Sequence, residues 1–120
     1  SRVGLVMIGY ADGYPRALSD KASMIVRGRR APVIGRVSMD VTAVDLTDIP
    51  DAEVEDEATV LGRQGEVEVT ADELADLAGT INHEIFTGLP ARLPRLYLRS
   101  GRPVALSTLN EFRQLEPVLP

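Results

Sequence analysis

The sequence has no cysteine and a single histidine in 120 residues. Disulfide scaffolds, zinc ribbons and thiol chemistry are thereby excluded, and the composition suits a reducing cytoplasm. Positive charge is also short, with 13 Lys and Arg against 18 Asp and Glu and a formal net charge of -5. A nucleic-acid surface needs a clustered cationic excess, so nucleic acid is not an expected partner. No apolar run approaches the ~18 residues of a membrane span, and the opening Ser1-Arg2-Val3-Gly4-Leu5-Val6 lacks the basic-then-apolar layout of a signal peptide. The chain reads as soluble and cytoplasmic, without a membrane partner. Internal repeats and low-complexity segments are absent too. A chain of this length buries roughly two-thirds of the surface it exposes when open, so one domain needs no covalent or metal staple.

What is present is β-forming. Residues 3–8, Val-Gly-Leu-Val-Met-Ile, are a short apolar run with β-branched side chains before a Gly/Asp/Pro loop, which favours a strand over a helix. The run starts almost at the first residue with no turn or cap before it, the look of a piece cut just upstream of a strand. Strands are next expected at 23–27 and 31–37, hinged at Gly28-Arg29-Arg30, and at 41–46. Connections this short leave no room for crossover helices and imply antiparallel pairing. Residues 48–57 hold six carboxylates with Pro50 among them, which reads as a solvated connection. Their spacing lacks the EF-hand pattern and its central glycine, so no metal is expected.

Residues 58–61 and 66–69 flank Gly62-Arg63-Gln64-Gly65 as an expected hairpin. Thr70-Ala71-Asp72-Glu73 has the form of a capping box. Leu74, Leu77, Ala78 and Ile81 recur at helical spacing, so one helix face should cover the sheet. Gly79 or Thr80 should break this helix, and a second short one should run to Thr87 before Gly88. Strand returns at 96–99 and 103–106 around Ser100-Gly101. Residues 1–106 thus read as a mainly β, antiparallel domain with one or two short helices. Residues 107–120, which lack a clean period, read as a C-terminal tail expected to pack loosely.

Two blocks carry the chemistry, Gly9-Tyr10-Ala11-Asp12-Gly13-Tyr14-Pro15-Arg16 and Gly35-Arg36-Val37-Ser38-Met39-Asp40. Each sets a reactive or charged side chain beside glycine, where the backbone turns sharply or comes close to a ligand. Tyr10 is either a strand-end tyrosine beside a turn or part of a site. As a base its phenol would cost about 4 kcal/mol to ionise at pH 7 and would need a cation such as Arg16 or Arg36 beside it. Asp12-Gly13 reads as a turn in which Asp12 bonds its own loop. Arg36, among apolar neighbours, needs a carboxylate or a cavity mouth. Met39 either fills core space or lends its backbone N–H, at a strand bend, to a carboxylate. Lys21 is the only lysine, and in the polar run Leu18-Ser19-Asp20-Lys21-Ala22-Ser23 it reads as a solvated ammonium and not as a Schiff-base amine.

Taken in order, these blocks resemble the C-terminal domain of the PLP-dependent alanine racemases, which joins a Gly-Tyr-Ala-Asp-Gly-Tyr-Pro-Arg segment to a Gly-Arg-Val-(small)-Met-Asp segment. Thr80-Ile81-Asn82-His83-Glu84 is close to the family's Thr-Ile-Asn-Tyr-Glu, and Arg92-Leu93-Pro94-Arg95-Leu96-Tyr97 to its Arg-Val-Pro-Arg-Val-Tyr. The resemblance runs in one register from about Val3 to Tyr97. It implies a Greek-key-like β-barrel and a part in an isomerase that interconverts L- and D-alanine for peptidoglycan precursors. It also implies that pyridoxal 5'-phosphate and its lysine belong to an N-terminal barrel domain outside these residues, as does the opposing catalytic tyrosine. The whole enzyme would be a head-to-tail homodimer acting on a small amino acid. Residues 1–120 alone are then expected to hold no catalytic residue and to be inactive.

The resemblance implies that Met39 contacts the substrate carboxylate across the dimer interface, and that Tyr10, Arg36 and Asp40 line the substrate entryway. Asn82, His83 and Glu84 are expected to be structural, with His83 where the family usually has tyrosine. Ala91 stands where many members carry a tyrosine reaching the PLP phosphate, so either fewer contacts or another residue must hold that phosphate. Arg92 and Arg95 flank the bend at Pro94 and are given no catalytic role. Two other readings keep part of the pattern. A racemase of another small amino acid such as serine would share these blocks, and a freestanding acidic β-barrel interaction module would need no cofactor.

Overall fold

Short apolar stretches between glycine turns become antiparallel strands in the computed structural model, which describes residues 2–108 and 112–114. The chain divides into two units, Ser1–Leu89 and Pro90–Pro120. In the first, β1 (Val3–Val6), β2 (Ser23–Val26), β3 (Arg29–Ile34), β4 (Thr42–Asp45) and β5 (Ala58–Thr59) form one sheet in the order β1-β4-β3-β2-β5. The meander β2-β3-β4, with β5 returning by a long connection to lie beside β2, is a Greek key. The fold is mainly β and antiparallel with two short helices, as expected. The sheet is a half-barrel, its end strands β1 and β5 facing one groove without pairing to each other.

Met24, Ile25 and Val26 are all buried, so β2 is covered on both faces. β3 and β4 alternate instead, burying Ala31 and Val33, then Thr42 and Val44. The Thr42 hydroxyl meets its need by donating to Ile8 O at 2.7 Å. The β2–β3 turn is tighter than the expected three-residue hinge. Val26 pairs with Arg29, leaving only Arg27 and Gly28, both at positive φ (54° and 70°), as a two-residue primed turn demands. At the other end, β3 stops at Ile34 because Gly35 takes φ 72°.

The acidic connection 48–57 is solvated along most of its length but not adrift. Ile49 and Ala52 are buried, and the Arg2 guanidinium donates to the carbonyls of Ile49, Pro50 and Ala52 at 3.2, 2.8 and 2.7 Å. The expected hairpin about Gly62-Arg63-Gln64-Gly65 is displaced. Gly62 to Gln64 are themselves strand, β6 (Gly62–Gln64), paired with β7 (Val67–Val69) around Gly65-Glu66. The Gln64 side chain explains the shift. Its oxygen accepts from Gly28 N at 2.6 Å, while its amide donates to Ile25 O, Glu57 O and Thr59 Oγ1, fixing this strand against β2 and β5.

Helix α1 (Ala71–Ala78) starts at Thr70, whose Oγ1 accepts from Glu73 N at 3.0 Å, and ends at Gly79 in the left-handed region. The reciprocal half of the capping box is diverted. The Glu73 carboxylate accepts two bonds from Arg30, at 2.7 and 2.9 Å, tying α1 to β3. Leu74 and Ala75 enter the core with Leu77 and Ala78 packed against it, but Ile81 is 61% exposed, because Gly79 ends the helix before its fourth apolar position. Helix α2 (Asn82–Thr87) follows, ending at Gly88.

In the second unit, β8 (Arg95–Arg99), β9 (Arg102–Ser107) and β10 (Phe112–Gln114) form a meander in the order β10-β9-β8. Ser100 and Gly101 turn between β8 and β9 with φ of 51° and 77°. Of the expected tail 107–120, Ser107 closes β9 and Phe112–Gln114 pair with it, while 109–111 and 115–120 lie outside the described residues.

Candidate functional site

The two sequence blocks meet. After β1 the backbone bends at Gly9 into a one-turn 3-10 segment, Tyr10–Asp12, locked by Gly9 N donating to the Asp12 carboxylate at 2.9 Å and by Asp12 N donating to Gly9 O at 2.9 Å. Asp12 therefore does hold its own loop. Gly13, at φ 91°, completes the turn with its α-carbon against the Gly88–Leu89 backbone, where a side chain would collide.

The second block lies alongside. Tyr10 N donates to Ser38 O and Ala11 N to Met39 O, each at 3.0 Å, so the two loops run as a two-rung ladder. Gly9 is required for this approach. A Cβ there would overlap the carbonyl oxygens of Ser38 and Met39. From the far side, Asp20 Oδ1 accepts from Gly35 N at 2.6 Å and Ser19 Oγ accepts from Val37 N at 2.8 Å, while Val37 is buried. Sequence reasoning missed Ser19 and Asp20 as positioning residues. Their only signal was a pair of short polar side chains, the kind that bond backbone amides, closing the loop after the first block.

This scaffold leaves Tyr10, Arg36, Met39 and Asp40 exposed. Met39, 51% exposed, is not a core residue. Ser38 N donates to Val41 O at 3.0 Å, whereas the Met39 N–H donates to no described residue. Arg36 is exposed and forms no ion pair with a described residue. An unspent amide, a cation and a phenol on neighbouring rigid loops suit an anionic ligand with a polar approach path.

The remaining candidates of the first unit take no part in this ladder. Lys21 is exposed on a turn. Asn82 Nδ2 donates to Asp72 at 2.9 Å, joining the two helices, and Glu84 accepts from the Thr80 hydroxyl. Both are structural, while His83 is exposed. Ala91, Arg92 and Arg95 belong to the second unit.

A family profile described as "Alanine racemase, C-terminal domain" matches residues 1–97. The chain belongs to the alanine racemase C-terminal domain family. An alanine racemase from Thermodesulfovibrio yellowstonii is 49% identical over 98 residues, which is 82% of this chain and 27% of the relative. Alanine racemase 1 of Clostridium acetobutylicum is 42% identical over 106 residues, covering 88% and 28%. Among solved structures, the alanine racemase of Bacillus anthracis with bound L-Ala-P superposes with a TM-score of 0.79 at 38% identity, covering 90% of this chain and 27% of that one. The biosynthetic alanine racemase of Pseudomonas aeruginosa does so with a TM-score of 0.74 at 44% identity. The chain spans about a quarter of the length of these relatives.

Proposed function

We propose that this alanine racemase C-terminal domain completes the active site of a racemase that interconverts L- and D-alanine. In this reading the Met39 N–H binds the substrate carboxylate, and Tyr10, Arg36 and Asp40 line the way in. The observation that carries it is the ladder between the blocks. It fixes Met39 and Tyr10 side by side while leaving the Met39 amide without a partner among the described residues. Buried Val37 and the Asp20 and Ser19 bonds hold the second block in place, as a carboxylate contact requires.

Pyridoxal 5'-phosphate would supply the electron sink for removing the α-proton. The residues of this chain do not fit the holding of that group. A Schiff base needs a desolvated lysine, and the only lysine here, Lys21, is exposed on a turn. The cofactor and the acid/base pair accordingly belong to an N-terminal barrel domain. The longer relatives have room for such a domain, since the match covers only 27% of their length. A head-to-tail homodimer in the cytoplasm, with this domain facing the partner's barrel, completes the reading.

The test is interconversion of L- and D-alanine with the cofactor supplied, by the 120-residue chain and by the same chain carrying its natural N-terminal extension. Activity in the extended form alone supports the division of labour. Activity in the short chain rejects it and returns Lys21 to consideration, and a preference for serine over alanine in the extended form replaces the substrate.

A further inference from the structure

The ladder between β2 and β3 does not stop where the strands do. The last strand pair is Ser23 with Pro32, and one step beyond it Val33 N donates to Ala22 O at 2.9 Å. Two residues on, Gly35 N donates to Asp20 Oδ1 at 2.6 Å, and two further, Val37 N donates to Ser19 Oγ at 2.8 Å. Every second amide is the spacing at which one strand edge meets its antiparallel neighbour. Here the side chains of a turn take the place of that neighbour's carbonyls. The next amide in the series is that of Met39, and it donates to no described residue.

The turn that supplies these acceptors is itself anchored. Leu18 and Ala22 are buried at its two ends, and Lys21 N and Ala22 N both donate to Leu18 O, at 3.0 and 3.2 Å. Asp20 sits at φ 57°, a region that Asn and Asp enter more readily than other residues with a side chain. The Ser19 hydroxyl also donates to Arg16 O at 2.6 Å, so one side chain ties the end of the first block to the middle of the second. With Tyr10 N and Ala11 N on the carbonyls of Ser38 and Met39, the second block is gripped through its amides by the turn and through its carbonyls by the first block.

We propose that Ser19 and Asp20 are positioning residues for the substrate carboxylate. By taking the amides of Gly35 and Val37 they fix where the Met39 N–H stands and leave it as the amide free to bind. This rests on the proposed function and adds to it two residues that act only through Met39. Asp20 then meets two demands at once, accepting a bond and holding a left-handed backbone. Asparagine meets both, glycine only the second, and alanine neither.

Steady-state kinetics of alanine racemisation by the extended, cofactor-loaded polypeptide separate these demands, with urea midpoints measured alongside. Asp20→Asn should keep the parental KM. Asp20→Gly and Asp20→Ala should both raise KM by about tenfold or more with kcat little changed, since a misplacement of about 1 Å can cost about 100-fold. Asp20→Ala should have the lower urea midpoint of the two, because only alanine is strained at that φ. Ser19→Ala, which frees Val37 N without backbone strain, should raise KM in the same way. A KM that follows the midpoint and not the acceptor, parental in Asp20→Gly and raised only in Asp20→Ala, overturns the positioning role. The decisive comparison repeats Asp20→Gly in a Met39→Pro background. No further rise in KM is expected there, because the amide being positioned is gone, and a rise by the same factor as in the parent overturns the proposal. Failure of the functional reading looks different. An inactive extended parent, or a Met39→Pro variant with parental KM, rejects that reading and the turn's role with it, whereas a KM raised by Met39→Pro but parental in Asp20→Gly and Ser19→Ala rejects the positioning role alone.

Discussion

Replacing Gly9 by alanine tests whether the two functional loops are held together as described. Gly9 is extended, with φ of -153°, so alanine meets no backbone strain there. Its cost is steric, because the new methyl overlaps the carbonyl oxygens of Ser38 and Met39. Relief requires the second block to move away, and the bonds Tyr10 N–Ser38 O and Ala11 N–Met39 O are lost together. Two such bonds contribute about 0.5–1.5 kcal/mol each. Alanine also restricts the unfolded chain and returns about 0.4–1 kcal/mol. The net loss is about 1–2 kcal/mol, which a urea slope near 2 kcal/mol/M turns into a midpoint lower by about 0.5–1 M. Gly35 is the control. It sits at φ 72° with nothing within 4 Å of a would-be Cβ, so its constraint is dihedral. Asparagine, which tolerates the left-handed region, should therefore be far milder than alanine at position 35, and no milder than alanine at position 9. A Gly9→Ala chain as stable as the parent would refute the close approach of the two blocks.

Tyr14 is buried with its hydroxyl unpartnered among the described residues, beside a space of about 20 Å³ walled largely by side chains such as Ile8, Pro15, Val60 and Leu74. Burial, with Glu73 adding to it, pushes the phenol well above its ordinary range, so it stays neutral. Tyr14→Phe should raise stability by about 1–3 kcal/mol in thermal melts, and a lowered melting point would mean that the hydroxyl is satisfied. Arg30 and Arg27 hold the Glu73 and Asp56 carboxyls below the usual carboxylate range, chiefly through hydrogen bonds. Folded values below unfolded ones mean stability that is fully present above the unfolded values of about 4 and lost as pH falls through the folded ones. Urea midpoints should thus drop below about pH 4, and Glu73→Gln should flatten its share of that drop while costing about 1 kcal/mol or less at pH 7, since both partners are part-exposed. An unchanged acid slope in Glu73→Gln would remove the Arg30 pair from the account.

The sequence was readable where local chemistry decides. Thr70 and Gly79 bound α1 as their side chain and backbone freedom require, and the apolar runs gave antiparallel strands. It was less readable where long-range partners choose between equal local options. Gly62 and Gly65 both offer a turn, and only the Gln64 side chain, bonded to Gly28, Ile25 and Thr59, selects the second. Glu73 suits a capping box until Arg30, far off in sequence, takes its carboxylate. The acidic run 48–57 looks wholly solvated until Arg2 draws its carbonyls in and Ile49 is buried. The site residues themselves stood out through the family pattern, but the ladder that unites the two blocks, and the Ser19 and Asp20 bonds behind it, belong to tertiary structure alone.

The most direct measurement is kcat/KM for alanine racemisation by the extended, cofactor-loaded polypeptide carrying Met39→Pro, set against Met39→Ala. Proline deletes the backbone N–H that is held to bind the carboxylate, whereas alanine keeps it and removes only the thioether. A hydrogen bond to a charged group contributes about 1.5–3 kcal/mol, or about 10- to 150-fold in rate at tenfold per 1.4 kcal/mol. Unchanged urea midpoints of both variants in the 120-residue chain keep the comparison free of misfolding. The account predicts a loss of that size for Met39→Pro, carried mainly by KM, with Met39→Ala close to the parent. Equal activity in the two variants would contradict it.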